Sequence, residues 1–184
     1  MRRILLIIVL CFLAVASTGC KKAQLRRQLK ELMSSTIVLP EKITCVYNGE
    51  VFPMPDSLRD KPKLIVYIDS TECTTCRISH FWEYQDMFDL SAQTEAFEVM
   101  LLLCNTEFEL IPLPRYLSDQ NLIYPVYVDT DKVFLKEKPF IPADTRMHSL
   151  LVDGTGRPMF VGDPSRSRLM METFMSALKE KKLI

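Results

Sequence analysis

The 184-residue sequence has no excess charge of either sign: 23 Lys and Arg balance 23 Asp and Glu. That balance removes any electrostatic reason to expect a nucleic-acid partner. The chain also lacks a glycine-rich phosphate loop, a His-Glu-x-x-His helix and a Gly-x-Ser-x-Gly elbow, so the common nucleotide, zinc-protease and hydrolase signatures are missing. Its one Cys-x-x-Cys stands alone. Without a second such pair or a His-x-x-x-His, a closed structural zinc site cannot be completed. There is no internal repeat and no low-complexity tract, and 48% of the residues are hydrophobic, which fits an ordinary globular domain with a proper core.

What is present begins at the N-terminus. "MRRILLIIVLCFLAVASTGC" has two arginines, an uncharged run from Ile4 to Ala16, and small residues ending in Gly19-Cys20. This is the pattern of a secretory signal, with a core too short for a comfortable membrane span. The "STGC" ending resembles the lipobox of bacterial lipoproteins, with Ser17 where leucine is usual. The expectation is therefore a signal peptide over 1–19, a lipid on Cys20, and an extracytoplasmic location on the cell envelope, periplasmic or surface-facing. An ordinary secreted chain or an uncleaved anchor are the alternatives. Residues 20–36 read as a tether helix and linker, with Leu25, Leu29 and Leu32 on one side. Lys21, Lys22, Arg26, Arg27 and Lys30 could attract anionic headgroups, although a solvated tether is the simpler reading.

The rest of the chain, 37–184, alternates strand and helix patterns. "KITCVYNGEVFPMP" predicts a hairpin around Asn48-Gly49. The apolar run Lys63 to Asp69 predicts a strand, and the segment opened by the cysteine pair predicts a helix. "FEVMLLLCN" reads as a central strand, "YLSDQN" as a helix end, "IYPVYVD" as a strand and "DKVFLKEK" as a short helix. Two more strands flank Gly154–Gly156, and a last helix carries an apolar stripe of Leu169, Met171, Phe174, Met175 and Leu178. This order predicts an α/β three-layer sandwich on a mixed sheet.

At the strand–helix seam "DSTECTTCRISH", Cys73 and Cys76 could be a redox couple, part of a metal clamp, or a disulfide staple. A cysteine at a helix start has its thiolate favoured by unpaired backbone N–H groups. Cys73 is then the expected nucleophile and Cys76 the resolving thiol. Thr74 and Thr75 lie between them, Arg77 adds positive charge nearby, and Glu72 opposes it. Asp69 is the nearest carboxylate, serving either as a proton acceptor or only as a strand-end cap. Cys45 and Cys104 are expected to be buried thiols.

Strand, loop, Cys-x-x-Cys and helix together resemble the opening of thioredoxin-like proteins. "YPVYVDTDKVF" (124–134) and "MHSLLVDGTGRP" (147–158) are similar to two further segments of the TlpA/ResA-like thiol–disulfide oxidoreductases. The resemblance spans roughly residues 37–182. It implies a thioredoxin-like sandwich with an N-terminal β-hairpin and an inserted βα unit, and a tethered oxidoreductase, more reductase than oxidase. Protein thiols or disulfides are the implied partners, with a membrane electron donor possible and no cofactor. It also places the loop Arg146-Met147-His148 beside the cysteines. Three positions depart from the family: Glu72 replaces a usual tryptophan, Thr74-Thr75 lacks the common proline, and Met147 stands where the family has a cis-proline. Tyr67 occupies the position of a buried acid or amide. Slow or partner-restricted exchange is the expected consequence. Two alternatives remain open at this stage. One is a non-enzymatic binding module with a permanent Cys73–Cys76 staple. The other is a Sco-like copper site using the two cysteines with His80 or His148.

Overall fold

In a computed structural model, the structure describes residues 21–69, 72–104, 112–129, 131, 133–134 and 141–184. The expected signal peptide and Cys20 lie outside the described residues, as does most of the short helix expected over 131–138. No helix among the described residues is long and apolar enough to cross a membrane.

Residues 21–33 form a helix, α1. The Asn48-Gly49 turn then joins β1 (Thr44–Tyr47) to β2 (Glu50–Pro53), with Tyr47 opposite Glu50. Both turn residues have positive φ, 51° and 79°, as a two-residue primed turn requires. β3 (Lys63–Ile68) leads into α2 (Thr74–Ile78) and α3 (Gln85–Thr94), followed by β4 (Glu98–Leu103), α4 (Leu113–Asp119) and β5 (Val126–Val128). The chain closes with β6 (Ser149–Val152), β7 (Pro158–Val161) and α5 (Arg168–Glu180).

The seven strands form one sheet in the order β2-β1-β5-β4-β3-β6-β7. β3, β4 and β5 are parallel, while β1 joins β5, and β6 joins β3, in antiparallel register. The sheet is therefore mixed, as expected, and α4–β5 is the inserted unit. The two parallel crossovers step in the same direction, so right-handed connection places α2, α3 and α4 on one face. Side-chain alternation agrees with this. Leu64, Val66 and Ile68 meet Ile78, Met87, Leu117, Phe174 and Leu178 in one core. Ile65 and Tyr67 point into a second core with Cys45, Leu102, Cys104, Met147 and Leu150. Phe174 is fully buried, with its ring edge-on to Phe97 and Phe160 at 5.4 and 5.6 Å. A phenyl buried to this extent contributes about 2–3 kcal/mol.

Three local expectations differ from the structure. The helix after the cysteines is broken: α2 ends at Ile78, where Ser79 Oγ donates to the Cys76 carbonyl at 2.8 Å, and a 3-10 turn over Phe81–Tyr84 intervenes before α3. A hydroxyl bonding back to the preceding turn's carbonyl competes with helix continuation. On α5, Leu169 is 70% exposed, while Met170 joins Met171 and Met175 against the core, because Met170 lies four residues before the buried Phe174 and Leu169 lies five before it. Leu32 on α1 is buried in the second core, with Leu25 packed beside it. The described helix is thus a docked element rather than a solvated tether, since its apolar positions have a sheet face to cover.

Candidate redox site

The site sits at the carboxyl end of β3. Cys73 is extended (φ −69°, ψ 100°) and caps α2, its Sγ accepting from the Cys76 N–H at 3.3 Å. Cys73 and Cys76 are bonded as a disulfide, with Cα atoms 5.3 Å apart, and both are exposed. Thr75 Oγ1 lies 3.5 Å from Cys73 Sγ, whereas Thr74 is buried. Between the two cysteines, then, Thr75 faces the pair and Thr74 faces the protein.

Glu72 is the hub of the polar groups around the pair. Its Oε1 is 3.1 Å from His148 Nδ1 and 3.5 Å from the Asp69 N–H, and its Oε2 is 3.7 Å from Arg77 Nε. The backbone carbonyl of His148 accepts from Tyr67 N–H at 2.8 Å, which extends the β3–β6 ladder and sets the ring beside the site. His148 is 4% exposed, and its Nε2 lies 2.9 Å from the Pro142 carbonyl. Arg77 reaches Tyr84 Oη at 3.4 Å, and that hydroxyl donates to Asp163 Oδ2 at 2.8 Å. A chain of polar contacts therefore runs from Pro142 through His148, Glu72, Arg77 and Tyr84 to Asp163.

The structure brings Asp69, Arg77 and His148 together around Glu72, the residue that precedes Cys73. Arg146 is directed elsewhere: its guanidinium grips Asp144 with contacts of 2.6 and 2.8 Å, and that ion pair holds the Asp144 carboxyl below its ordinary range. Met147 is buried in the second core with Tyr67, Phe134 and Ile141. Nothing along the sequence pairs Glu72 with His148 or singles out Tyr84, Asp144 and Asp163, whose contacts the fold alone assembles.

Beside His148, Tyr67 packs its ring with centroids 5.2 Å from those of both Phe134 and His148. Its hydroxyl is buried beside Cys104, and burial, then the neighbouring Cys104, pushes its pKa above the ordinary phenol value, so the phenol is a weaker acid than usual. Tyr67 is therefore a neutral floor to the site and cannot act as a base. Cys104, at the end of β4, lies 3.9 Å from Asp129 Oδ2. Burial, then the Asp129 charge, pushes its thiol up, as burial does for Cys45. Both cysteines are free and buried, so they are inert thiols. Cys45 pairs across from Tyr127, which pairs across from Leu102. Cys45 and Cys104 are thus two strands and two residues apart, roughly 12 Å and beyond disulfide reach. Of the two histidines, His80 meets Glu83 at 3.0 Å and His148 has both ring nitrogens engaged. Among the described residues, no three His, Cys, Asp or Glu side chains are grouped to hold a metal.

No family model and no curated protein sequence matches the chain. Solved structures do. A candidate electron transfer protein from Aquifex aeolicus is 17% identical, covering 79% of this chain and 95% of its own, with a TM-score of 0.50. The thioredoxin domain of a thiol-disulfide oxidoreductase from Bacteroides vulgatus is 14% identical over 77% of this chain and 96% of that one, with a TM-score of 0.48. A secreted Mycobacterium tuberculosis disulfide oxidoreductase is 16% identical over 74% and 94%, with a TM-score of 0.43. At such identities the likeness speaks to the fold. With parallel β3–β4–β5, antiparallel β6–β7, and a Cys-x-x-Cys disulfide where β3 gives way to α2, this chain has the thioredoxin-like fold.

Proposed function

We propose that the protein is an extracytoplasmic thiol–disulfide oxidoreductase working through Cys73 and Cys76, and that it is tethered to the membrane by a lipid on Cys20. One observation carries the redox reading: the disulfide is exposed at a helix start, on a fold whose solved neighbours include proteins described as thiol-disulfide oxidoreductases. In the reduced protein, the Cys73 thiolate attacks a disulfide sulfur of a partner protein, giving a mixed disulfide and a partner thiolate that takes up a proton. The Cys76 thiol then loses its proton and attacks Cys73, releasing the second partner thiol and re-forming the internal disulfide. No cofactor is needed, and a membrane electron donor would return the pair to the dithiol. The lipid anchor rests on the "STGC" ending alone.

The reduction potential of the pair, measured on the full-length protein in glutathione buffers, tests the reading. Working couples of this motif lie between roughly −270 and −120 mV, and a value there is expected. A value below about −300 mV marks a structural disulfide and overturns the proposal in favour of a stapled binding module.

A further inference from the structure

Glu72 and His148 are 76 positions apart in sequence, yet their side chains meet, and Glu72 directly precedes Cys73 in the chain. His148 Nε2 faces the Pro142 carbonyl at 2.9 Å. A carbonyl only accepts, so Nε2 carries a hydrogen. Nδ1 faces Glu72 Oε1 at 3.1 Å, and a carboxylate oxygen also only accepts. A lone pair on neutral Nδ1 against an ionised oxygen would be repulsive, so this geometry assigns a proton between the two atoms. Whether drawn as imidazolium–carboxylate or as imidazole–carboxylic acid, the pair carries no net charge. If the ring loses that neutralising proton or is removed, a full negative charge remains on the residue that precedes Cys73.

We propose that His148 and Glu72 are positioning residues for the exchange reaction: the shared proton cancels the Glu72 charge and so keeps the Cys73 thiolate favoured. This rests on the reading of Cys73 and Cys76 as a redox pair. The other groups facing this proton come from every neighbouring element. Arg77 on α2 lies 3.7 Å from Glu72 Oε2 and offsets part of any charge there, although its Nη2 is shared with Tyr84. Asp69, at the end of β3, presents its N–H to Glu72 Oε1. Tyr67 lies beneath the imidazole and stays neutral, with Cys104 and Asp129 behind it. Asp144, before β6, senses the His148 charge but is neutralised by Arg146. None of these carries the proton bridge to Glu72; His148 alone does so among the described residues.

The charge account and a merely structural role predict different mutant patterns. If the contact only held the loop in place, His148→Gln and Glu72→Gln would damage the site alike. If charge matters, the two changes act in opposite directions. His148→Gln leaves an uncancelled carboxylate next to Cys73, whereas Glu72→Gln removes it and keeps a hydrogen bond to the ring. The test is the rate of iodoacetamide alkylation at Cys73, followed by mass spectrometry on the phosphine-reduced full-length protein at pH 6–7. His148→Gln should slow alkylation about tenfold, the size expected for one partly screened charge at short range. Glu72→Gln should match or exceed wild type, and the double variant should return to within about twofold of wild type. Matching circular dichroism spectra ensure that folded proteins are compared, and the double variant supplies the decisive arm should one single variant fail to fold. Parallel slowing by both single changes, or a double variant as slow as His148→Gln, overturns the proposal. Because alkylation reads the thiol directly, this result is independent of whether partner proteins are ever reduced. A pair with a structural potential would sink the functional reading without altering the charge test.

Discussion

Leu32→Ala probes whether α1 belongs to the folding unit. Leu32 is 2% exposed and packs with Ile37, Ile43, Cys45 and Met54 in the second core, while Leu29, on the same short helix, is 39% exposed. Truncating a buried leucine removes its transfer energy and leaves a cavity, typically at a cost of 2–5 kcal/mol. Because α1 lies at the margin of the core and can settle inward, about 2–3 kcal/mol is expected here. For a chain of this size that lowers Tm by roughly 5–10 °C. Leu29→Ala should stay within about 0.5 kcal/mol of wild type, as exposed substitutions usually do. Urea unfolding of the full-length protein, followed by both fluorescence and far-UV circular dichroism, measures the two differences. If Leu32→Ala costs no more than Leu29→Ala, α1 is not docked in solution and the packing argument fails. A docked α1 would also matter for function. It would fix the orientation of α1 relative to the exposed cysteine pair, and with it the direction from which the proposed anchor on Cys20 would hold the domain.

Tyr84→Phe deletes the hydroxyl that joins Arg77 to Asp163 and should cost about 1–2 kcal/mol, because a charged acceptor loses its partner but remains half-exposed to water; unchanged urea midpoints would refute this. Alkaline pH should destabilise the fold. Burial raises the folded-state ionisation of Tyr67, Tyr84, Tyr127 and Cys104 above their unfolded values. Their contribution is therefore complete below the unfolded values, about 8.5 for a thiol and 10 for tyrosine, and is lost progressively as pH rises beyond them. Urea midpoints at pH 7, 9 and 10.5 should fall in that order, and a flat series contradicts the burial account. Met147→Pro should raise exchange with generic disulfides in an insulin-reduction assay if the pair is catalytic and only detuned by the missing proline. An unchanged rate would remove Met147 from the explanation.

Much of this architecture is local chemistry and could be read along the chain. Asn48-Gly49 forces a tight hairpin because both residues accept positive φ. The unbroken, short apolar runs at 64–68 and 99–103 fit strands covered on both sides, as they are. Cys73 caps a helix because its neighbours change from a β-branched to a helical pattern at that point. What the tertiary structure alone decided involves residues distant in sequence. His148 meets Glu72 because the β3–β6 register carries on to a Tyr67–His148 backbone bond, and a shift by one residue would turn the ring to the opposite face. Arg146, next but one to His148, instead finds Asp144 on its own turn. Met170 faces inward in place of Leu169 because it stands four residues before the buried Phe174, whereas Leu169 stands five before it and turns away from that face. Short-range patterns fix which elements form and in what order. The charges that surround Cys73 depend on strand register and helix phase, which only the folded chain brings into contact.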